Sequence, residues 1–187
     1  MTGLDPKDPL VLDLRALQRR PGSMSEVTRT VPAPENLGVA MARVPEGSPI
    51  ELDLRLESVL EGVLVTGTAD LLVAAECSRC LEAFDWHEEV ELTELFAYPA
   101  TDARGAVVEE EDESEDPLPV VQDDLIDLQP TLRDAVVLDL PLAPLCSEDC
   151  LGLCPVCGVR LEHDPSHAHE ATDPRWAALA TLQDPDA

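Results

Sequence analysis

"IELDLRLESVLEGVLVTGTADLLVAAE", residues 50–76, carries the clearest periodicity in the chain. Ile50, Leu52, Leu54 and Leu56 alternate with Glu51, Asp53, Arg55 and Glu57. That period of two belongs to a strand with one face in a core and the other in water. Gly62 offers a turn or bulge, after which "VLVTGTADLLVAA" reads as a second strand running into "ECSRCLEAF". A third strand is expected in "FDWHEEVELTELFAY", residues 84–98. Consecutive strands without room for crossover helices imply an antiparallel meander whose solvated face carries the acids.

Upstream, "LVLDLRALQRRPGSMSEV" starts with alternating apolar residues and stops at Pro21 and Gly22, which fits a short strand or a helical turn. Prolines and glycines between Val31 and Pro49 predict loop, with one short strand around "LGVAMARV". Downstream, "EEEDESED", residues 109–116, carries seven acids around one serine and is expected to be a self-repelling linker within 102–122; mimicry of phosphate towards a basic partner is the alternative. In residues 123–145, Leu128, Leu132, Ala135, Val136 and Leu140 recur at helical spacing, so a helix is predicted from about Gln129 to Leu140, returning to the sheet and ended by Pro141 and Pro144. Asp173 and Pro174 read as the start of a short docking helix with Trp176, Leu179 and Leu182 on one side, within a tail at 162–187. The expected fold class is therefore α+β: an antiparallel meander or partly closed barrel over 1–101, a C-terminal helix, and a small cysteine-rich module at 146–161.

That module, "CSEDCLGLCPVCG", holds four of the chain's six cysteines at gaps of three, three and two residues. "MTGLDPKDPLVLDL" meets three aspartates before any apolar run develops, and no window reaches the length of a membrane span, so a cytoplasmic protein is expected. In a reducing compartment clustered thiols point to metal ligation or redox chemistry before structural disulfides. Zn²⁺ suits four thiolates tetrahedrally, and Gly158 permits the positive φ that a C-x-x-C turn asks for. Cys146, Cys150, Cys154 and Cys157 are the expected ligands of about one structural zinc, because a local quartet needs no long-range coincidence. Cys77 and Cys80 form another C-x-x-C at a strand end. The spacing equally allows them to pair with Cys154 and Cys157, or with Cys146 and Cys150. A thioredoxin-like role would need a βαβ context, which the pattern lacks. His163, His167 and His169 are metal-capable but are expected in a solvated tail, and His87 on a strand surface.

Thirty-nine acidic against twelve basic residues give a net charge of −27, which repels nucleic-acid phosphates and attracts basic proteins. Arg15, Arg19, Arg20 and Arg29 gather a third of the basic residues near the N-terminus and are the best RNA or partner contact candidates; salt bridges to the acidic surface are the plainer alternative. The chain carries no Walker loop, dinucleotide fingerprint, helical histidine pair or nucleophile elbow, so no catalytic residue is assigned and no enzyme is expected.

"CSRCL" at 77–81, the acidic middle, "CSEDCLGLCPVCGVRL" at 146–161, the early "LDLRALQRRPGS" and the late "TDPRWAAL" together resemble the YceD family of bacterial large ribosomal RNA subunit accumulation proteins. The resemblance implies a cytoplasmic, non-enzymatic role in ribosome biogenesis. The partner would be a ribosomal precursor or a basic large-subunit ribosomal protein for which this chain is adaptor or escort. An RNA-processing enzyme is the remaining alternative.

Overall fold

In the computed structural model of the protein, residues 3–99 and 118–169 are described. The chain forms β1 (Val11–Asp13), β2 (Met24–Pro32), β3 (Ala42–Arg43), β4 (Pro49–Ser58), β5 (Gly62–Glu76), β6 (Ala83–Ala97), β7 (Leu125–Asp127) and α1 (Gln129–Asp139). The expected meander is β4, β5 and β6. β5 is central, pairing antiparallel with β4 from Val63↔Ser58 to Leu71↔Ile50 and with β6 from Gly62↔Ala97 to Glu76↔Ala83. The alternation holds residue by residue, with Ile50, Leu52, Leu54 and Leu56 buried and Glu51, Asp53 and Arg55 exposed.

β2 is a strand that periodicity did not expose. It pairs with β4 along its whole length, from Met24↔Glu57 to Pro32↔Pro49. Its core-facing row is Ser25, Val27, Arg29 and Val31, in which polar and apolar residues mix, because an edge strand buries only part of one face. The short strand expected near "LGVAMARV" is β3, on the far part of β5. The sheet does not close. β2 and β6, with the short β3 beside the end of β5, are its edges, so the partly closed barrel is corrected to an open sheet. The strands would need one further pairing between these edges to form a barrel, and the covering layer is instead built from other elements.

That layer is the small β1–β7 ribbon with α1. Leu12 pairs with Ile126, and both are almost fully buried. α1 begins at Gln129, whose N–H donates to the Asp127 carboxylate at 2.9 Å, with a proline in its first turn, and it stops at Leu140, which turns extended before Pro141. Leu128, Leu132, Val136 and Leu140 enter one continuous core with Leu10, Leu12, Ile50, Leu52, Leu54, Leu71, Val90, Leu92 and Phe96. The core is almost wholly aliphatic, as the scarcity of aromatic residues requires. The acidic stretch 109–116 and the helix expected from Asp173 lie outside the described residues. No helix among the described residues is long and apolar enough to cross a membrane.

Candidate metal centre

The two longest strands, β5 and β6, are joined by residues 77–82, and this loop is a knuckle built from backbone hydrogen bonds. Cys77 N–H donates to Glu82 O at 2.8 Å and Leu81 N–H to Cys77 O at 2.8 Å, with Leu81 in the left-handed region at φ 59°. Ser78 N–H donates to Pro144 O at 2.8 Å, which brings the chain leaving α1 against the knuckle. Arg79 then organises that incoming segment. Its guanidinium donates to the carbonyls of Glu148 at 3.2 Å and Cys150 at 3.1 Å, while its own carbonyl accepts from Leu153 N–H at 3.1 Å.

These contacts place Cys77, Cys80, Cys146 and Cys150 with all four sulfurs within 4.8 Å of one another. Cys77 Sγ lies 3.7 Å from Cys150 Sγ, and Cys80 Sγ lies 3.7 Å from Cys146 Sγ. A disulfide would need about 2.05 Å. A tetrahedron with Zn–S bonds of about 2.3 Å has edges of about 3.8 Å, so these two spacings are the length that a four-thiolate zinc site asks for. Cys77 and Cys80 are buried, Cys150 is half-buried and Cys146 is exposed, so the group sits at the sheet's end with one side towards solvent. Burial pushes the Cys77 thiol up. The backbone N–H groups of Cys146, Cys80 and Arg79 outweigh it and lower the thiol to about 6. Cys146 is raised to about 12, first by its hydrogen bond with Cys150 and then by burial. Burial also raises Cys150, against the Gly152 N–H.

The local quartet preferred from spacing is divided by the structure. Gly152, at φ 76°, turns the chain against Arg79 and separates Cys146 and Cys150 from Cys154 and Cys157. Cys154 and Cys157 instead group with His167 and His169. A short hairpin, closed by the Leu153↔Arg160 bridge and by Leu161 N–H to Gly152 O at 3.0 Å, carries this second pair. An ion pair between Arg160 and Glu82 ties the hairpin to the first knuckle. His163 is not in either group. The histidine contribution was readable only as residue type. Whether 167 and 169 return to Cys157 depends on the turn at Asp164–Ser166, where Ser166 Oγ donates to the Asp164 carboxylate at 2.8 Å and His167 N–H to Asp164 O at 3.0 Å. Arg79 and the Arg160–Glu82 pair were missed, since their work is specific to the tertiary arrangement.

The N-terminal arginines are largely engaged within the chain. Arg19 pairs with Asp124 at 2.6 Å and lies over the Tyr98 ring at 5.2 Å from its centroid. Arg29 donates to Pro9 O at 2.9 Å from the core side of β2, fastening the strand to the segment before β1. Arg15 pairs with Asp13 at 3.5 Å, and Arg20 stands exposed in the following turn. His87 sits on the open face of the sheet 3.2 Å from Asp70, in line with its expected surface position.

A family model described as "Large ribosomal RNA subunit accumulation protein YceD" matches residues 65–183. Uncharacterized proteins of Mycobacterium tuberculosis and Mycobacterium bovis are each 46% identical over 180 residues, covering 95% of this chain and 83% of theirs. An uncharacterized protein of Bacillus subtilis, YlbN, is 29% identical over 140 residues, 72% of this chain and 74% of that one. No solved structure matches the chain.

Proposed function

Because the chain belongs to the YceD family of large ribosomal RNA subunit accumulation proteins, we propose that it is a non-enzymatic ribosome-biogenesis factor supporting accumulation of large-subunit ribosomal RNA. Family membership is the observation that carries this reading. Within it, Cys77, Cys80, Cys146 and Cys150 hold a structural zinc, supported by two cross-segment sulfur spacings of 3.7 Å and by the burial of Cys77 and Cys80. Bound there, zinc would supply a cross-link rather than chemistry. The residues' part is to fasten the β5–β6 loop to the segment after α1, and Arg79 orients that segment's carbonyls around it. The test is the ratio of large- to small-subunit ribosomal RNA in cells lacking the protein. It is expected to fall and to be restored by the intact chain; an unchanged ratio would sink the proposal.

A second reading, an acidic adaptor for a basic ribosomal protein, has its own observation. On the face of the sheet opposite α1, Glu51, Asp70 and Glu89 stand directly opposed across β4, β5 and β6. Asp53 and Glu91 flank Thr68 one row on. Opposed like charges destabilise a sheet, and a cationic surface laid across them would remove that cost. Affinity purification with and without ribonuclease separates the readings. A basic protein recovered after ribonuclease favours the adaptor, and recovery that requires RNA opposes it.

A further inference from the structure

We propose that Cys154, Cys157, His167 and His169 form a second, independent zinc site, so that the protein carries two metals of different ligand class. The starting point is that the chain builds the same knuckle twice. In the first, Cys77 N–H donates to Glu82 O at 2.8 Å and Leu81 N–H to Cys77 O at 2.8 Å. In the second, Cys154 N–H donates to Val159 O at 2.8 Å and Gly158 N–H to Cys154 O at 2.9 Å. The offsets from the leading cysteine are identical, and the residue after the trailing cysteine is left-handed in both, Leu81 at φ 59° and Gly158 at φ 74°. Backbone N–H groups two and three residues on, from Arg79 and Cys80 in one and from Val156 and Cys157 in the other, point at the leading sulfur. Amide N–H groups aimed at a sulfur are what holds a metal thiolate in place.

Each knuckle faces a different pair of donors. For the second, Cys157 Sγ lies 3.1 Å from His167 Nε2 and 3.1 Å from His169 Nε2, and the two Nε2 atoms lie 2.9 Å apart. The imidazole rings meet nearly edge to face, with an interplanar angle of 83°. These three contacts cannot all be hydrogen bonds. An imidazole nitrogen has one in-plane position, filled by either a proton or a lone pair, so each Nε2 can serve one partner along that direction. Three atoms converging on one point are satisfied together by a cation. A tetrahedral Cys₂His₂ zinc site has edges of about 3.6 Å between sulfur and nitrogen and about 3.3 Å between nitrogens. Those three donors therefore need to part by only roughly 0.5 Å to receive the ion, and Cys154 Sγ, within 4.8 Å of each, is the fourth. His167 Nδ1 lies on the Asp164 side of the ring, 4.0 Å from the carboxylate, and Nε2 on the Cys157 side. Cys157 and His169 are both exposed, against Cys146 alone in the four-cysteine group, so this site is the more open of the two to exchange.

The inference goes beyond the proposed function and does not depend on it. The test is metal stoichiometry of the full chain, reconstituted with Co²⁺ as a spectroscopic stand-in for zinc and checked by elemental analysis after zinc loading. Wild type is expected to hold two ions. The double variant H167A/H169A should lose one equivalent and keep a cobalt spectrum of pure thiolate character, while C146S/C150S should lose one equivalent and keep the mixed sulfur–nitrogen spectrum. C157S repeats the test within the knuckle. In wild type a chelating dye should withdraw the mixed-ligand ion first. Two ions retained in H167A/H169A, or one wild-type ion unaffected by that change, would overturn the second site. A single ion lost in H167A/H169A but kept in C146S/C150S would instead uphold it and remove the four-cysteine zinc.

Discussion

Leu81 and Gly158 occupy the same place in equivalent turns, and their difference measures what that place demands. Leu81 is held at φ 59° with its side chain exposed, a conformation that costs an L-residue on the order of 1–2 kcal/mol. Leu81→Gly should therefore raise stability by about 1 kcal/mol without changing metal content, and Gly158→Ala should lower it by a similar amount, since open space surrounds a Cβ there and only backbone strain is added. Chemical denaturation of both variants checks the pair. The leading cysteines carry a pH signature as well. Backbone N–H groups of Cys157 and Val156 lower Cys154 to about 6, and Cys77 stands at about 6 against its burial. A lowered thiol pKa contributes stability that is complete above the ordinary value of 9.0 and lost as pH falls through about 6. In metal-free protein, ultraviolet thiolate absorbance should show a step near pH 6, diminished in Cys77→Ser and again in Cys154→Ser.

β4 and β5 are both paired on two sides, and β5 is the longer of the two. At Gly67 a Cβ would meet the Asp53 carbonyl oxygen at 2.0 Å and Leu54 Cα at 2.8 Å, so the neighbouring strand would have to shift. Gly67→Ala is expected to destabilise by at least about 2 kcal/mol. α1 depends on its buried stripe more than on its own propensity, having no acidic residue in its first turn and no basic residue in its last. Leu132 is buried against the core, and Leu132→Ala should cost about 2–5 kcal/mol, read as a lower denaturation midpoint with an unchanged slope.

For the molecule as a whole, two stabilising systems can be separated. The core joins sheet, ribbon and helix without using a metal, whereas a zinc held as proposed would close a chain loop between Cys80 and Cys146, 66 residues apart. By chain entropy such a cross-link is worth about 4 kcal/mol. Stripping the metal should therefore lower the melting temperature while leaving β-sheet circular dichroism in place; complete unfolding on chelation would show that the core is insufficient alone. The charge of −27 sets the other global expectation. On the adaptor reading, binding to a basic ribosomal protein should weaken steeply with salt, and neutralising Glu51, Asp70 and Glu89 together should reduce both the affinity and its salt dependence.

The sequence by itself determined the meander, α1 and the metal-capable residue types, because each is written in short-range order. Ile50 to Leu56 declare their buried face through a period of two, Leu132 and Val136 through helical spacing, and each C-x-x-C through the turn it makes. Tertiary structure alone decided that β2 lies along β4, that the sheet stays open, and which donors meet. β2 was hidden because Ser25 and Arg29 interrupt its core-facing row, and Arg29 is tolerated there by the carbonyls of Pro9 and Val11. Proximity in sequence favoured Cys146, Cys150, Cys154 and Cys157 as one set. The physical arbiter was Arg79, whose five-donor guanidinium and backbone carbonyl hold 148–153 against the β5–β6 loop, so that Cys146 and Cys150 meet Cys77 and Cys80 while the turn at Gly152 sends Cys154 and Cys157 towards His167 and His169.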